Sequence, residues 1–421
     1  MSETPASSPP PSSGDLGLTA PLRIREFRQL YIVLSGAMLA GWMNSVACSW
    51  QMTLLDDSAV MQGLVQGSYM LPGLFFALPG GVLADKVDRR RYLITLNAIL
   101  AAVGLSLTVL CGFGWITPPI LLLHTLAMGT VFALQGPAMM AVVQDMVRRE
   151  LLPQALTLNS IALNVGRAVG PAIAGAIIGA VNVAAALVAN VAAYSLMAIH
   201  FVRMRRPDLK VRMREGFVEA LWNGLRFAAT ERRFRGILIR FFLFLLCTSA
   251  LMSLMPLVAK SALSGGPGTF GTLIAWMGVG SVISAFSRGK LSSRISPDMH
   301  VLISAAVATA AYLGLASTRD IFMASGMVFL FGVAWTNSTI TFQVAAQVIL
   351  PSSMRGRGIS LFLMTFSTGM LFAGLIWGSI ADVVGLREAI AASGIGITVV
   401  TVATWPLKLG LPHAADEAPP A

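Results

Sequence analysis

The sequence predicts an all-α membrane protein with twelve transmembrane helices in two six-helix bundles. Three observations predict this fold class: the composition, the number of long apolar segments and the distribution of basic residues. Of the 421 residues, 56% are hydrophobic and only 12% are charged, and the mean hydropathy is +0.75. Soluble proteins carry about 25% charged residues. The composition therefore excludes an ordinary soluble enzyme, and it also excludes a disordered chain.

Twelve segments are long enough to cross a bilayer, because a spanning helix needs about 20 predominantly apolar residues. Charges, prolines or glycines bound each segment. The predicted spans are 30–54, 62–84, 92–113, 117–143, 154–180, 183–202, 237–258, 267–287, 299–317, 321–345, 358–381 and 386–407.

The longest loop follows the sixth span and divides the chain into two halves. The predicted divisions are a disordered cytoplasmic tail (1–20), a first six-helix bundle (21–204), a cytoplasmic linker (205–235), a second six-helix bundle (236–410) and a disordered tail (411–421). The first 20 residues are rich in proline and serine, and they show no signal peptide. Apolar residues from Phe217 to Leu225 recur at helical spacing. This spacing predicts an amphipathic interfacial helix, with a plain solvated linker as the alternative.

The basic residues indicate the orientation of the chain. Nearly all of the 30 lysines and arginines lie in the termini and in the loops after even-numbered spans, including the run from Arg203 to Arg240. Only Lys260, Arg319 and Arg387 lie in the opposite loops. Cytoplasmic loops carry an excess of basic residues, so both termini are predicted to be cytoplasmic, with the protein in the inner membrane. The net charge of +11 then reflects topology and contact with anionic lipids, not nucleic-acid binding.

Nothing in the sequence indicates a catalytic, metal or cofactor site. Cys48, Cys111 and Cys247 lie in apolar runs, where we expect small buried side chains and no disulfide or ligand set. Zinc-protease, serine-hydrolase and phosphate-loop motifs are missing. We predict a protein that is not an enzyme, has no cofactor and is monomeric in the bilayer. A membrane-embedded sensor or accessory subunit is the alternative from another class.

A charged loop, GVLADKVDRRR, follows the second span at residues 81–91. Gly81 permits a helix end and a close approach of a neighbouring helix. Asp85 is an anion suited to the positive N-terminus of another helix, and the start of span eleven is the expected partner. Arg89 is expected to pair with Asp145 at the end of span four. With Arg90, these residues form a predicted conformational latch on the cytoplasmic face; the alternative is that they only set topology.

The same position in the second half carries a related pattern. Residues 289–294 repeat the glycine, leucine and basic positions of 81–86 at the end of span eight. Such internal repeats are typical of alternating-access transporters.

Span five contains the motif GRAVGPAIAG at residues 166–175. Gly166 and Gly170 lie four residues apart and allow a partner helix to pack closely, and Gly175 ends the motif. Pro171 weakens or bends the helix. We predict a tight, flexible helix contact that closes the periplasmic side, with a purely structural packing role as the alternative.

These two motifs resemble the major facilitator superfamily. Residues 81–91 are similar to its signature loop between the second and third helices, with Asp88 where glycine is usual. Residues 166–175 are similar to its exporter-associated motif, with Ala174 where glycine is usual. Trp42–Ala47, Leu158–Ser160 and Arg355–Arg357 further resemble the branch that contains the enterobactin exporter and the macrolide efflux permeases.

The resemblance extends from residue 23 to residue 407 and implies a specific function. A member of this branch is expected to export a small amphipathic compound, such as a siderophore or a hydrophobic drug, by rocking-bundle alternating access. The resemblance also implies antiport with protons. Every Asp and Glu, however, lies in a tail, a loop or at a span end, whereas proton relays ordinarily use intramembrane acids. An uncoupled facilitator or lysolipid flippase is therefore the alternative within the same fold.

Scattered polar residues within the spans predict a substrate cavity. Sparse amides and tryptophans among apolar side chains suit an amphipathic molecule better than a sugar. For each of these residues, helix packing is the alternative role. The candidate cavity residues are Trp42, Asn44, Gln66, Asn97, Gln135, Asn159, Asn164, Arg167, Asn337 and Gln343.

Arg167 is the one charge that the sequence predicts near the middle of a span. A cation there is costly unless it is partnered. It either pairs with backbone carbonyls and polar side chains near the span-five motif, or it meets an anionic or catechol-bearing substrate.

Overall fold

The computed structural model describes residues 17–204, 226–227, 229–291, 295–351 and 355–410. Within these ranges the protein is helical, with twelve long helices and no strand. The first six are α1 (Arg25–Leu55), α2 (Ala59–Lys86), α3 (Arg89–Gly112), α4 (Pro118–Asp145), α5 (Leu152–Ala180) and α6 (Val183–Arg203). The second six are α7 (Arg232–Ala262), α8 (Pro267–Leu291), α9 (Pro297–Ser317), α10 (Ile321–Ile349), α11 (Arg355–Val384) and α12 (Leu386–Ala403).

The twelve predicted spans correspond one to one with these helices. Among the described residues, eleven of the helices combine the length and the apolar composition of a membrane-spanning segment. The chain is a multi-pass integral membrane protein. Most of the linker, including the helix predicted between Phe217 and Leu225, lies outside the described residues. The helix α7 already begins at Arg232, four residues before the predicted start of the second bundle.

Several helices continue through prolines. Pro72 and Pro79 lie inside α2, Pro137 inside α4 and Pro171 inside α5. Transmembrane helices tolerate proline because neighbouring helices and polar side chains satisfy the freed carbonyls. The helix α7 is less regular: its α-helical part is interrupted at Ser249 and ends in a π turn, Val258–Ala262.

The helices form two halves, α1–α6 (the N half) and α7–α12 (the C half). Because consecutive helices alternate in direction, residues 17 and 410 lie at the same end of the molecule, here called the terminal face; the other end is the opposite face. Helix pairs α2–α11 and α5–α8 join the halves. Both pairs approach closely at glycines: a Cβ on Gly374 would lie 2.9 Å from the Gly63 Cα, and one on Gly175 would lie 3.0 Å from the Gly271 Cα.

These glycine contacts lie towards the opposite face. Gly63 is in the second turn of α2, and Gly271 is in the second turn of α8, and both helices begin at the opposite face. Gly175 is near the end of α5, which runs towards the same face. The described contacts between the halves thus begin at the opposite face and extend to mid-helix, where a Cβ on Gly278 of α8 would lie 2.6 Å from the Ala168 Cα of α5.

Candidate functional site

A cavity of about 470 Å³ lies within the N half. Its described lining comes from α1, α2, α4, α5 and α6. Along α1 the lining extends from Leu34 to Cys48, which is about 21 Å at 1.5 Å per residue. At one end it includes Val143, in the last turn of α4. The cavity therefore extends towards the terminal face, whereas the glycine contacts Gly63–Gly374 and Gly175–Gly271 between the halves lie towards the opposite face.

The lining is apolar and rich in flexible and aromatic side chains. The larger members are Met38, Met70, Met139, Met140, Met197, Trp42, Tyr69, Phe132 and Tyr194. Methionine is unbranched and polarizable, so it adapts to ligands of different shape. Among the described lining residues there is neither an acid nor a base. Such a surface favours the body of an amphipathic organic molecule over a densely hydroxylated one.

Four of the predicted amides lie in this lining: Asn44, Gln66, Gln135 and Asn159. The Asn44 Nδ2 donates to the Met128 sulfur at 3.4 Å, whereas the Asn44 Oδ1 is buried without a hydrogen-bond partner among the described residues. The Gln135 Oε1 is likewise buried without a hydrogen-bond partner among the described residues. A buried acceptor without a partner is costly, so a ligand that donates a hydrogen bond to either oxygen gains affinity.

Asn97 lies behind the cavity wall. It is fully buried, its Nδ2 donates to the Leu93 carbonyl at 2.7 Å, and its Oδ1 accepts from the Gln135 Nε2 at 3.4 Å. The contact fixes the orientation of the Gln135 amide, so Asn97 supports the lining without belonging to it.

Three predicted cavity residues lie elsewhere. Asn164 donates to the Ser160 carbonyl in its own helix at 2.8 Å. Asn337 belongs to the C half, where its Nδ2 donates to the Ser304 Oγ at 2.8 Å. Gln343 is exposed on α10. The described lining does not include any of the three.

Arg167 lies beside the cavity on α5. It follows Asn159 and Leu163, which both line the cavity, at helical spacing of four residues. Its guanidinium carbon is 5.2 Å from the centre of the Trp42 ring, and Trp42 is itself part of the lining. A cation over an aromatic face is stabilised by the ring quadrupole. The buried Arg167 Nε has no hydrogen-bond partner among the described residues.

The span-five motif packs against two different helices. Gly166 and Gly170 face α1, where a Cβ on Gly170 would lie 2.9 Å from both the Leu39 carbonyl oxygen and the Trp42 Cβ. Gly175 and Pro171 face α8, with the Pro171 carbonyl oxygen 2.6 Å from a Cβ placed on Gly271. The motif thus joins α1 within the N half and α8 of the C half at once.

The residues of the predicted latch are partly described. The Arg89 Nη1 lies 2.8 Å from the Asp145 Oδ2 and connects the start of α3 with the end of α4. The guanidinium of Arg90 donates to the carbonyl oxygens of Phe201 and Val202, at 2.7 and 2.5 Å, at the end of α6. Cations stabilise the last carbonyls of a helix. Gly81 and Asp85 lie in α2, but their side-chain surroundings are outside the description, as are those of Arg355–Arg357.

A buried ion pair in the C half was not predicted. Arg240 on α7 is only 1% exposed and pairs with Asp298 at the start of α9. The Asp298 carboxylate also accepts from the Leu409 amide at 3.4 Å. The prediction that Arg167 is the one buried charge is therefore wrong, as is the assignment of Arg240 to a loop. Arg240 lies two turns inside α7 because Glu231 starts the helix before its apolar part begins.

The opposite face carries two polar contacts between the halves. The Asp382 carboxylate of α11 accepts hydrogen bonds from Ser58 and Ala59 at the start of α2, at 2.7 and 2.6 Å. The Lys260 Nζ of α7 donates to the Thr53 carbonyl and to the Asp57 carboxylate, at 2.5 and 2.7 Å. Asp57 immediately precedes Ser58, the N-cap residue of α2, so both contacts between the halves lie at the start of α2.

Two joined six-helix halves, with a cavity that extends towards one end, are the architecture of a transporter of the major facilitator fold. Solved structures support this class. A nucleoside transporter, NupG, superposes with a TM-score of 0.75 at 13% identity, covering 91% of this chain and 98% of the other. A bacterial homologue of the human lysosomal transporter Spinster superposes with a TM-score of 0.71 at 15% identity, covering 92% and 97%. At these identities the likeness concerns the fold alone.

The chain belongs to the transmembrane secretion effector family of the major facilitator superfamily, whose model matches residues 16–421. The staphyloferrin A transporter of Staphylococcus aureus is 22% identical over 368 residues, which is 86% of this chain and 91% of that one. The enterobactin exporter EntS of Salmonella typhi is 24% identical over 390 residues, covering 89% and 90%. The predicted superfamily and branch are thus confirmed, and the protein is a major facilitator transporter.

Proposed function

We propose that this protein exports a small amphipathic organic compound, of the siderophore or hydrophobic-drug type, by rocking-bundle alternating access. One observation carries the proposal: an apolar, methionine-rich cavity extends towards the terminal face, while the glycine contacts Gly63–Gly374 and Gly175–Gly271 between the two halves lie towards the opposite face. This asymmetry fits alternating access, which requires a cavity that opens to one side while the halves close the other. The relatives named as transporters or exporters of siderophores support a cargo of this class.

The direction of transport depends on which face is cytoplasmic. The excess of lysine and arginine at the terminal face favours a cytoplasmic position for it. In this orientation the cavity takes its cargo from the cytoplasm. Tags fused to the two termini test the orientation: both are expected to resist protease in intact spheroplasts, and a tag cleaved from outside would contradict it.

The chemical groups of the cavity lining restrict the class of compound that could be the cargo. Its described lining offers apolar contact area, two amide oxygens without partners and the neighbouring Arg167 guanidinium. We propose that the cargo has an aromatic or aliphatic body, at least one N–H or O–H donor, and an oxygen-bearing group that accepts from Arg167. A catechol or hydroxycarboxylate compound meets all three requirements.

Everted membrane vesicles test the proposed function, because their exposed surface is the cytoplasmic one. Vesicles that contain the protein are expected to accumulate enterobactin or staphyloferrin A above the level of protein-free vesicles. The variant Gln135→Leu, which removes one of the two amide oxygens, should accumulate less, whereas Gln343→Leu, outside the cavity, should behave as the wild type. Equal accumulation with and without the protein, for siderophores and for hydrophobic dyes, would contradict the proposal.

A second candidate, an uncoupled facilitator or lysolipid flippase, is favoured by the absence of acidic side chains from the described lining. Proton antiport needs a carboxylate or other titratable group that meets the transport path. Collapse of the pH gradient with a protonophore distinguishes the two. Accumulation against a gradient should disappear for an antiporter, whereas equilibration at an unchanged rate would establish the facilitator.

A further inference from the structure

The helix α2 receives its N-terminal cap from the other half of the molecule. The Asp382 carboxylate accepts from the Ser58 hydroxyl at 2.7 Å, from the Ala59 amide at 2.6 Å and from the Val60 amide at 3.2 Å. Ser58 occupies the cap position of α2 but makes no side-chain cap bond to its own helix. The first amides of α2 are therefore satisfied by a residue of α11.

The backbones of α11 and α2 lie in close contact next to this cap. A Cβ on Gly378, one turn before Asp382, would lie 2.7 Å from the Ala59 carbonyl oxygen and 2.8 Å from the Val60 Cα. Since those atoms are backbone, they cannot move aside as a flexible side chain would. The absence of a side chain at Gly378 lets the end of α11 approach the start of α2 closely enough for the three hydrogen bonds.

The nearby Lys260 contact is the weaker of the two. Its partner Asp57 is 86% exposed, and exposed ion pairs contribute little because water screens them. Asp382 is also exposed, but its carboxylate meets backbone amides that have no partner within their own helix, at the positive end of the helix dipole. Of the two contacts, the Asp382 cap therefore contributes more to holding the halves together.

We propose that Asp382 is a positioning residue of the transport cycle, which holds the opposite face closed by capping α2 across the two halves. The proposal rests on the proposed alternating-access function, because opening of the opposite face separates α2 from α11 at this point and breaks the cap. Asp382 lies at the end of α11 and meets the start of α2. The contact expected for Asp85 joins the end of α2 to the start of α11, at the other face.

Distance measurements between spin labels test this role without any substrate. Labels at Phe113→Cys and Phe322→Cys, in a background without the three native cysteines, report the separation of the halves at the opposite face. Both positions are exposed, at 67% and 84%, and lie in different halves. In Asp382→Ala, the population ratio of the long to the short distance should rise by about fivefold, the effect of losing one typical helix cap. Asp382→Asn keeps an acceptor oxygen but loses the charge, so it should raise this ratio less.

Asp320→Ala is the matched control for Asp382→Ala. Asp320 caps α10 on the same face, but within its own half, by accepting from the Met323 amide at 2.7 Å. Its loss should lower the melting temperature and leave the label distances unchanged, and Asp382→Glu should restore part of the short-distance population. Unchanged distances in Asp382→Ala, or an equal shift in Asp320→Ala, would overturn the gating role. A shifted distance in a protein that transports nothing would overturn the proposed function and leave the cap proposal standing.

Discussion

The N half and the C half have the same number of helices but differ in what fills them. The N half encloses the cavity, whereas the described interior of the C half is occupied by aromatic rings. Phe241 stacks on Phe362 with ring centres 4.4 Å apart and also contacts Phe342 at 5.2 Å. Close packing of this kind has low compressibility. Under the proposed function, this difference favours binding of the cargo in the N half, with the closely packed C half moving against it.

The ion pairs of the two halves show the same division. Arg89 and Asp145 pair at the edge of the N half, where the Asp145 side chain is 44% exposed. Arg240 and Asp298 pair in the interior of the C half, with side-chain exposures of 1% and 14%. Water therefore reaches the Asp145 carboxylate of the first pair, although Arg89 itself is only 13% exposed, and it is largely excluded from both members of the second pair. The two pairs are therefore expected to respond very differently to the same mutation.

The largest expected effect is the loss of unfolding free energy in Arg240→Ala. The change leaves the partly buried Asp298 carboxylate without its cationic partner, and breaking a buried ion pair in this way costs about 3–5 kcal/mol of unfolding free energy. The corresponding change Arg89→Ala should cost about 1 kcal/mol or less, since the Asp145 carboxylate that it leaves behind is exposed to water. Denaturant unfolding of the detergent-solubilised protein measures both. The double variant Arg240→Met with Asp298→Leu should regain most of the loss; equal losses for Arg240→Ala and Arg89→Ala would remove the distinction between the halves.

The next effect concerns the contact between the halves at α5 and α8. In Gly175→Ala the new Cβ would lie 2.7 Å from the Pro267 carbonyl oxygen, so the helices must separate at a cost of about 1–3 kcal/mol. Gly179→Ala, one turn further, meets only an ordinary contact at 3.8 Å and should be neutral or slightly stabilising. Melting temperatures and vesicle uptake measure the two variants. If Gly175→Ala keeps the wild-type melting temperature and the wild-type uptake, close packing of α5 against α8 is needed neither for stability nor for transport.

Arg167→Ala distinguishes the two roles considered for this arginine, which are contact with the cargo and packing within the N half. If the guanidinium donates to the cargo, affinity for an anionic ligand should fall by about tenfold, the value of one hydrogen bond to a charged group. Arg167→Lys keeps the charge and should retain part of the affinity. Titration of purified protein with enterobactin measures the dissociation constant. Wild-type affinity combined with a lowered melting temperature would assign Arg167 to packing alone.

The smallest effect is expected from single amides. Gln66→Leu changes the polarity of the lining and should alter ligand affinity by about threefold, within the range of one neutral hydrogen bond. Asn337→Leu should leave affinity unchanged and reduce stability, because it removes the bond to Ser304 inside the C half. Ligand titration and thermal unfolding of the same samples measure both. A ligand affinity lowered by Asn337→Leu would place part of the binding site in the C half.

Helix positions were predictable because hydropathy is a local property. The span predicted at 299–317 is observed as Pro297–Ser317, and that at 154–180 as Leu152–Ala180. The errors come from charged ends and turns. The helix α7 starts five residues earlier than predicted, because three arginines in its first turn mask the apolar contribution of the single Phe234. The helix α12 ends at Ala403 instead of 407, where a turn begins before Pro406.

The candidate site was less predictable, because hydropathy does not give the rotation of a helix about its axis. Asn44, Gln66, Gln135 and Asn159 face the cavity, whereas Asn164, on the same helix as Asn159, does not. Contacts between distant residues have no sequence signal of their own: Arg240 and Asp298 are 58 residues apart, and Ser58 and Asp382 are 324 apart. Only the packed helices bring these groups together.

A cavity whose described walls belong to a single half has a thermodynamic consequence for the cycle. In the proposed cycle, a cargo that contacts only these walls keeps the same neighbours whichever side of the membrane it faces, so its affinity would be nearly equal in the two conformations. A ligand with equal affinity for two states does not shift the equilibrium between them. The preference for one conformation over the other must then come from groups that the cargo never touches.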